Sequence, residues 1–333
     1  MVWVRRLLLV PVMLLVLAWG FGALHFAGPG GGRVPDVLAW LWVALGLAIL
    51  VFVRPWGRTL LAFAVALIVL LVWWSTVVPR NDRNWAADVK RLPHGTVQGD
   101  ILTIENVRDF DYRSETDWTE RWETRTYDLS KLEGVDLFLS YWGSPVIAHT
   151  IMSWRFSDGQ HLAISIELRK EVGEVYTPIA GFFRSYELYY VTADERDVVR
   201  LRTNYRGENV YLYPLRMPRV RARKVLLDYV ASMNSLVTEP AFYNTIAHNC
   251  TTTIRTHVMQ IGADWPLDYR LFANGYIGEW LYEKERIDTS RPFAVVRETS
   301  SIDGRAKAAD QDPAFSARIR DGMVIPPLLP DPP

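Results

Sequence analysis

A single cysteine, Cys250, occurs among the 333 residues. An intramolecular disulfide is thereby excluded, and so is any zinc site built on paired thiolates. The six histidines are scattered and no HExxH spacing occurs, so no metal site is expected. Excess charge of either sign is also missing. The 37 basic residues balance 37 acidic ones, and no basic tract marks a nucleic-acid partner. The glycine-rich stretch at 28–32 lies between two apolar runs, without the strand and helix of a phosphate-binding loop, and no cofactor is expected. No internal repeat is present.

Three stretches lack charge almost completely. Residues 7–27 hold no acidic or basic side chain except His25, and residues 37–53 and 59–78 hold none. A spanning helix needs about 20 apolar residues, so residues 1–80 read as a three-helix transmembrane segment. Arg5 and Arg6 precede the first run, which has the flank of a signal peptide. It is longer than a signal core and two more spans follow, so it reads as retained. Arg5, Arg6, Arg54 and Arg58 fall on one side of this topology, expected to be the cytoplasm. The chain after residue 79 is then extracytoplasmic, although Arg80, Arg83, Lys90 and Arg91 run against that bias. Trp73 and Trp74 suit the outer interface. The expected location is a multi-pass protein of a bacterial inner membrane with its soluble domain on the periplasmic side.

Residues 81–300 read as that domain, and 301–333 as a Pro-rich, loosely ordered tail. Strands are expected at 100–107, 110–113, 135–141, 181–191, 198–203 and 209–215, with residues 116–130 mostly loop. After Pro218 the period changes. Val225, Leu226, Tyr229, Val230 and Met233 mark a helix over 220–237 that Pro240 ends. A second helix starts at Asn249, a favoured N-cap, with the stripe Ile254, Val258 and Ile261 and a stop at Gly262. A third is expected over 271–285. Cys250 thus falls in a first helical turn, where the macrodipole stabilises a thiolate. A lone cysteine in an oxidising compartment also avoids mispairing, which points to a use for the thiol itself. The alternative is a small buried hydrophobe.

A cysteine nucleophile needs a base and a group to orient it. His25 lies in a span and His94 in a linker. His257 is seven residues down the Cys250 helix, and His248, two residues before Cys250, is badly placed to point at it. His149 and His161 remain. Between residues 146 and 169 even positions are apolar (Met152, Trp154, Leu162, Ile164) and odd positions polar (His149, Ser153, Ser165, Glu167). Matching faces require paired numbers with an even sum. A three-residue loop at 157–159, with Gly159 left-handed, pairs Phe156 with Gln160. That register sets His149 opposite Glu167, which would hold the imidazole tautomer, and leaves His161 near Arg155. The alternative is an ordinary solvated sheet face.

These residues carry a resemblance. Asn106-Val107-Arg108-Asp109-Phe110-Asp111-Tyr112, Ala148-His149-Thr150, Ser165-Ile166-Glu167-Leu168-Arg169-Lys170-Glu171, Arg202-Thr203-Asn204-Tyr205-Arg206 and Phe242-Tyr243-Asn244 through Asn249-Cys250-Thr251-Thr252 resemble the DUF4105 family, also called the Lnb N-terminal periplasmic domain. The resemblance implies an α+β, permuted papain-like fold of the NlpC/P60 type, with an antiparallel sheet and helices and the histidine strand before the cysteine helix. The family's namesake is a bacterial lipoprotein N-acyltransferase with a thiol mechanism. Cys250 and His149 match the family's cysteine and histidine; Glu167 rests on both motif and register. The namesake carries its spans after the periplasmic domain, whereas this chain carries three before it.

The expected function is membrane-anchored acyl transfer through a thioester on Cys250, with His149 as base and Glu167 as orienting group. Asn249, Thr251 and Tyr243 are the expected oxyanion or substrate-positioning residues. Membrane lipids and lipoproteins are the expected partners. Trp118, Trp122, Trp142 and Trp154 would either line an acyl groove or fill the core. A cysteine peptidase or amidase acting on cell-wall peptide, and a non-enzymatic membrane scaffold, are the competing readings.

Overall fold

The computed structural model describes residues 2–330 apart from 248, 263 and 264, with side chains from residue 7 onward. The chain divides into two compact units. The first comprises residues 1–84, 170–187 and 241–245, and the second the remainder.

Three helices dominate the first unit: α1 (Val2–Ala27), α2 (Val34–Phe52) and α3 (Trp56–Thr76). Each contains a stretch long and apolar enough to cross a membrane, 21, 19 and 21 residues in order. Met13, Leu17, Trp42, Ile49, Phe63 and Leu70 pack between them. The Trp42 indole donates to the Leu17 carbonyl at 3.1 Å, which satisfies its polar edge where no water is available. Leu7, Leu15, Trp40, Leu61 and Val69 point outward and are exposed, as side chains solvated by lipid are.

The second unit is built on an eight-stranded sheet. Its strands are β1 (His94–Gln98), β2 (Ile101–Arg108), β5 (Trp122–Asp128), β6 (Leu132–Tyr141), β7 (Ala148–Phe156), β8 (His161–Arg169), β9 (Glu187–Ala193) and β10 (Asn209–Pro214); β3 (Asp111–Tyr112) and β4 (Trp118–Thr119) form a separate pair. The order is β1-β2-β9-β8-β7-β6-β10, with β5 also on β2. The sheet is mixed rather than antiparallel, because β2 meets β9 in parallel at Arg108 and Ala193. β1 replaces the expected linker after Pro93, and β5 lies in the expected loop.

The β7–β8 hairpin has the expected register. Ile151 pairs with Ser165, Ser153 with Ala163, and Arg155 with His161. Phe156 N–H donates to the Gln160 carbonyl at 3.0 Å across the turn, and Gly159 takes φ +85°, which a side chain would resist. Neither sheet face is solvated at this hairpin. The even face carries α5 (Arg219–Thr238) and α6 (Cys250–Gln260): the Trp154 indole donates to the Ala222 carbonyl at 2.9 Å and packs edge-on to Tyr229. On the odd face, Ile151, Phe138 and Ala163 join a core with Val198, Val199, Phe315 and Ile319.

Those last residues mark two departures from expectation. The stretch 198–203, β-branched and read as a strand, is helical: α4 (Glu195–Arg200) runs into a π-turn at Leu201–Tyr205. Its side chain at Asp194 accepts the Arg196 N–H, an N-cap that outweighs the strand propensity of Val198 and Val199. The tail is also packed well past residue 300. α7 (Ile277–Glu283) and α8 (Phe293–Ser300) lead to α9 (Asp303–Ala308) and α10 (Phe315–Arg318). Ile302, Ala306, Ala309, Phe315 and Ile319 are in the core, an apolar stripe hidden in a polar stretch. The helix expected over 271–285 shrinks to α7, preceded by two 3-10 turns.

Candidate active site

Helix α6 starts at Cys250. The Asn249 side chain accepts N–H bonds from Thr251 and Thr252, both at 2.9 Å, while Thr252 Oγ1 accepts the Asn249 N–H at 3.0 Å. This capping box fixes the helix start at the cysteine. The thiol is buried, as are His149, Thr150 and Thr251.

His149 stands near the start of β7. Its Nε2 lies 2.6 Å from Ser165 Oγ and 2.9 Å from Glu167 Oε1. Ser165 donates to the same carboxylate oxygen at 2.8 Å. Arg202, on the π-turn, donates to Glu167 Oε1 at 3.0 Å and to Glu208 Oε2 at 2.9 Å, and Glu208 in turn accepts from the Ser140 hydroxyl. The chain from the imidazole to Ser140 is thus continuous, and each buried charge in it has an opposite partner.

The electrostatics follow from this geometry. Burial would lift the Cys250 thiol, but a hydrogen bond and charge from His149, with Thr150 beside it, bring it down from 9.0 to about 7. Burial would lower His149, but the Glu167 carboxylate raises it to about 9, against the repulsion of Arg202. Glu167 is held far below the usual carboxylate range: burial acts upward, and the His149 charge and hydrogen bond, then Arg202 and Ser165, overcome it. Between about 7 and about 9 the favoured pair is therefore thiolate and imidazolium.

Asn274 closes the site from another loop. Its Nδ2 donates to Thr251 Oγ1 at 2.7 Å and lies 4.0 Å from Cys250 Sγ, while its Oδ1 accepts the Ala148 N–H at 2.8 Å. One side chain thereby ties the α6 start to the β7 start. The next residue must be glycine, since a Cβ on Gly275 would stand 2.1 Å from the Pro145 carbonyl oxygen. Tyr229 is wholly buried, and its hydroxyl has no hydrogen-bond partner among the described residues. Its ionisation is pushed far up by burial, then by Tyr190 and the Cys250 charge, so it stands within electrostatic reach of the thiol.

Two other histidines of the second unit are occupied elsewhere. His257 uses both nitrogens, Nδ1 with Asp228 at 2.6 Å and Nε2 with the Tyr190 hydroxyl at 2.8 Å. His161 Nδ1 lies 3.1 Å from the Gly159 carbonyl at the hairpin tip. His248 lies outside the described residues.

Of the three expected positioning residues, Asn249 and Thr251 are at the helix start. Their groups are engaged: the Asn249 carboxamide takes the Thr251 N–H, and the Thr251 hydroxyl takes Asn274. Tyr243 belongs to the first unit, where its ring lies over Gly181 and its N–H donates to the Tyr186 carbonyl. Sequence reasoning missed Ser165, Arg202 and Asn274. Ser165 and Arg202 belong to the Ser165–Arg169 and Arg202–Arg206 stretches, and Ser165 shares the polar odd-numbered hairpin face with His149 and Glu167. For Asn274, at 125 residues from His149, no local signal exists.

A cavity of about 90 Å³ runs along α6, walled by Met152, Ile254, Val258, Trp265, Trp280 and Leu281, with Arg216, Arg221 and Arg286 also lining it. Met152 is one pleat from Thr150, and Ile254 one turn from Cys250. The tryptophans that line it are Trp265 and Trp280, stacked at 4.9 Å. The four tryptophans expected as groove candidates lie elsewhere. Trp154 is core, Trp118 and Trp122 pack on Phe110 and Leu201, and Trp142 is exposed.

Residues 118–275 match the Lnb N-terminal periplasmic domain family. The stretch carries His149, Ser165, Glu167, Arg202, Cys250 and Asn274, so the whole constellation falls inside the match. No curated protein and no solved structure matches the chain. The Lnb match supports that family, and with the three apolar helices it points to a membrane-associated envelope protein with a periplasmic domain. Among the described residues no group of His, Cys, Asp or Glu is arranged to hold a metal ion.

Proposed function

We propose that this chain is a membrane-anchored thiol acyltransferase of the cell envelope, a permuted papain-like enzyme that carries an acyl group on Cys250 and acts in lipoprotein N-acylation. The observation that carries the chemistry is the buried Cys250–His149–Glu167 array, with the thiol near 7 and the imidazole near 9. Nε2 of His149 is taken up by Ser165 and Glu167, which leaves Nδ1 for the sulfur.

The thiolate attacks the carbonyl carbon of an ester-linked acyl chain. The carbon–oxygen bond breaks, and the leaving alkoxide takes the proton held by His149. An amine then attacks the thioester, gives its proton to His149, and Cys250 leaves as thiolate. The N–H of Cys250 and the second Nδ2 hydrogen of Asn274 are the donors proposed for the oxyanion, since the N–H groups of Thr251 and Thr252 serve the cap. The Tyr229 hydroxyl is a further donor, without a partner among the described residues.

An apolar cavity that begins one helical turn from the thiol favours an acyl chain over a peptide, and its arginines suit an anionic headgroup. The test is mass spectrometry of lipoproteins from cells carrying Cys250→Ala beside wild type. Loss of an N-terminal acyl group in the variant is the expected result. An unchanged acylation state refutes the transferase, and altered cell-wall peptides in its place assign the site to hydrolysis.

A further inference from the structure

The first unit holds more than the three apolar helices. Residues 170–187 return to it, and this stretch is bound to the helix ends by side chains of several kinds. The Phe183 ring meets Gly22 of α1 so closely that a Cβ there would lie 2.3 Å from it, and it stacks on Phe26 with centroids 5.5 Å apart. Gly22 is five residues before the end of α1, about 7.5 Å along the axis at 1.5 Å per residue. Phe183 therefore packs against the last turns of α1 rather than beyond the helix end. Its neighbour Arg184 donates to the carbonyls of Trp74 and Val77, at 2.9 and 3.0 Å, and lies 4.6 Å over the Trp74 ring. It does so from φ +55°, a conformation rare without glycine. Ser185 donates to the Phe26 carbonyl at 3.2 Å.

The same stretch turns apolar side chains outward. Val172, Val175, Tyr176, Ile179 and Phe182 are 62, 79, 43, 59 and 41% exposed. Between residues 172 and 183 the only charged residue is Glu174, whose carboxylate is spent on the Glu171 N–H at 2.7 Å. Water would oppose such a display, and soluble surfaces seldom gather so many large apolar residues in a dozen positions. The patch belongs to the same unit as the apolar helices α1 and α3, where Trp74, two residues before the end of α3, packs edge-on to Trp19.

We infer that residues 172–183 form an interfacial membrane anchor, inserted among the lipids of the leaflet at the C-terminal ends of α1 and α3. Arg184 and Trp74 mark the headgroup level, and Val175 and Ile179 enter the acyl region. The anchor is fastened to a second segment. The Thr245 hydroxyl donates to the Pro178 carbonyl at 2.8 Å, and Glu187 bridges to Phe242. After residues 246–249 that second segment reaches Cys250. The inference rests on the spans alone and stands or falls separately from the acyl-transfer chemistry.

The lone cysteine makes the test clean. In full-length Cys250→Ala protein, Val175→Cys or Ile179→Cys is labelled with an environment-sensitive fluorophore, with Gln98→Cys, exposed on β1, as the aqueous control. The proteins are placed in nanodiscs of phosphatidylethanolamine and phosphatidylglycerol. The expected result is blue-shifted emission at 175 and 179, quenched several-fold more by lipids bearing a nitroxide on the acyl chain than by aqueous iodide, with the reverse order at 98. Both labelled positions are surface sites, so neither substitution disturbs packing, and equal melting midpoints of the three proteins establish that. Emission and iodide quenching at 175 and 179 equal to those at 98 overturn the inference. Energy transfer between labelled copies without lipid quenching also overturns it, and gives the patch to a second copy of the chain.

Discussion

Glu167→Gln is the substitution that isolates the electrostatic core of the site. Gln keeps the volume and one hydrogen-bond acceptor but removes the charge that lifts His149 to about 9. Burial is then unopposed and lowers the imidazole, which is neutral at pH 7.5. The thiol loses its cation and returns from about 7 toward its ordinary 9.0. Two pKa units correspond to ~3 kcal/mol of lost preference for the thiolate. At pH 7.5 the thiolate fraction falls from ~75% to ~3%, about 25-fold. Alkylation will not fall by that much, because a more basic thiolate is more nucleophilic. With a Brønsted slope of ~0.45, two units return a factor of ~8. The net loss at pH 7.5 is then only about 3-fold, and above pH 10 the variant should react faster than the parent, by roughly 8-fold. The assay is the pH profile of iodoacetamide modification of Cys250, read by mass spectrometry. Its midpoint should move from about 7 to about 9. A midpoint that stays near 7 refutes the reasoning, and leaves Thr150 and the helix start as the source of the thiolate.

Four further outcomes follow. Acyl transfer should be bell-shaped in pH, rising as the thiol ionises near 7 and falling as His149 loses its proton near 9, both as apparent values of the pair; a single rising limb refutes the ion-pair form. Asn274→Ala leaves the Ala148 N–H without its acceptor and should cost about 1–3 kcal/mol, read as a lower melting temperature together with a raised Cys250 midpoint. Glu195 is wholly buried; burial acts upward on its carboxyl, but Arg320 brings it from 4.5 to about 2, with bonds to Arg320 at 2.7 and 2.8 Å. A depressed carboxyl stabilises the fold above 4.5 and loses that contribution as pH falls toward 2, so about 3 kcal/mol should disappear across that window. Arg320→Met should cost about 3–5 kcal/mol at neutral pH, and pairing it with Glu195→Gln should recover part of the loss in denaturant titrations.

Much of this was legible along the chain because it depends on local periods. The three apolar runs needed only length and absence of charge. The α6 start needed only Asn249, and the hairpin register needed only alternation and Gly159, since a one-residue slip would turn Trp154 and Met152 away from α5 and α6. The His149–Glu167 pair followed from that register. The readings that failed share a cause as well. Residues 198–203 carry strand-like side chains, but Val198 and Val199 have to cover Ile151 and Phe138, and a capped helix does so. The stretch after residue 300 is polar enough to look loose, yet Phe315 and Ile319 fill the same core and Arg320 neutralises Asp136 and Glu195.

Sequence by itself determined the three apolar helices, the element types around the cysteine and the hairpin register that sets His149 beside Glu167, because each is set by local periods. Only the tertiary structure decided that the polar face of the hairpin is buried, that Arg202 and Ser165 complete the network behind His149, that Asn274 joins Thr251 to Ala148, and that Trp265 and Trp280 wall the cavity. Those facts depend on which distant segments meet, and contacts across tens to more than a hundred residues leave no periodic trace in the chain.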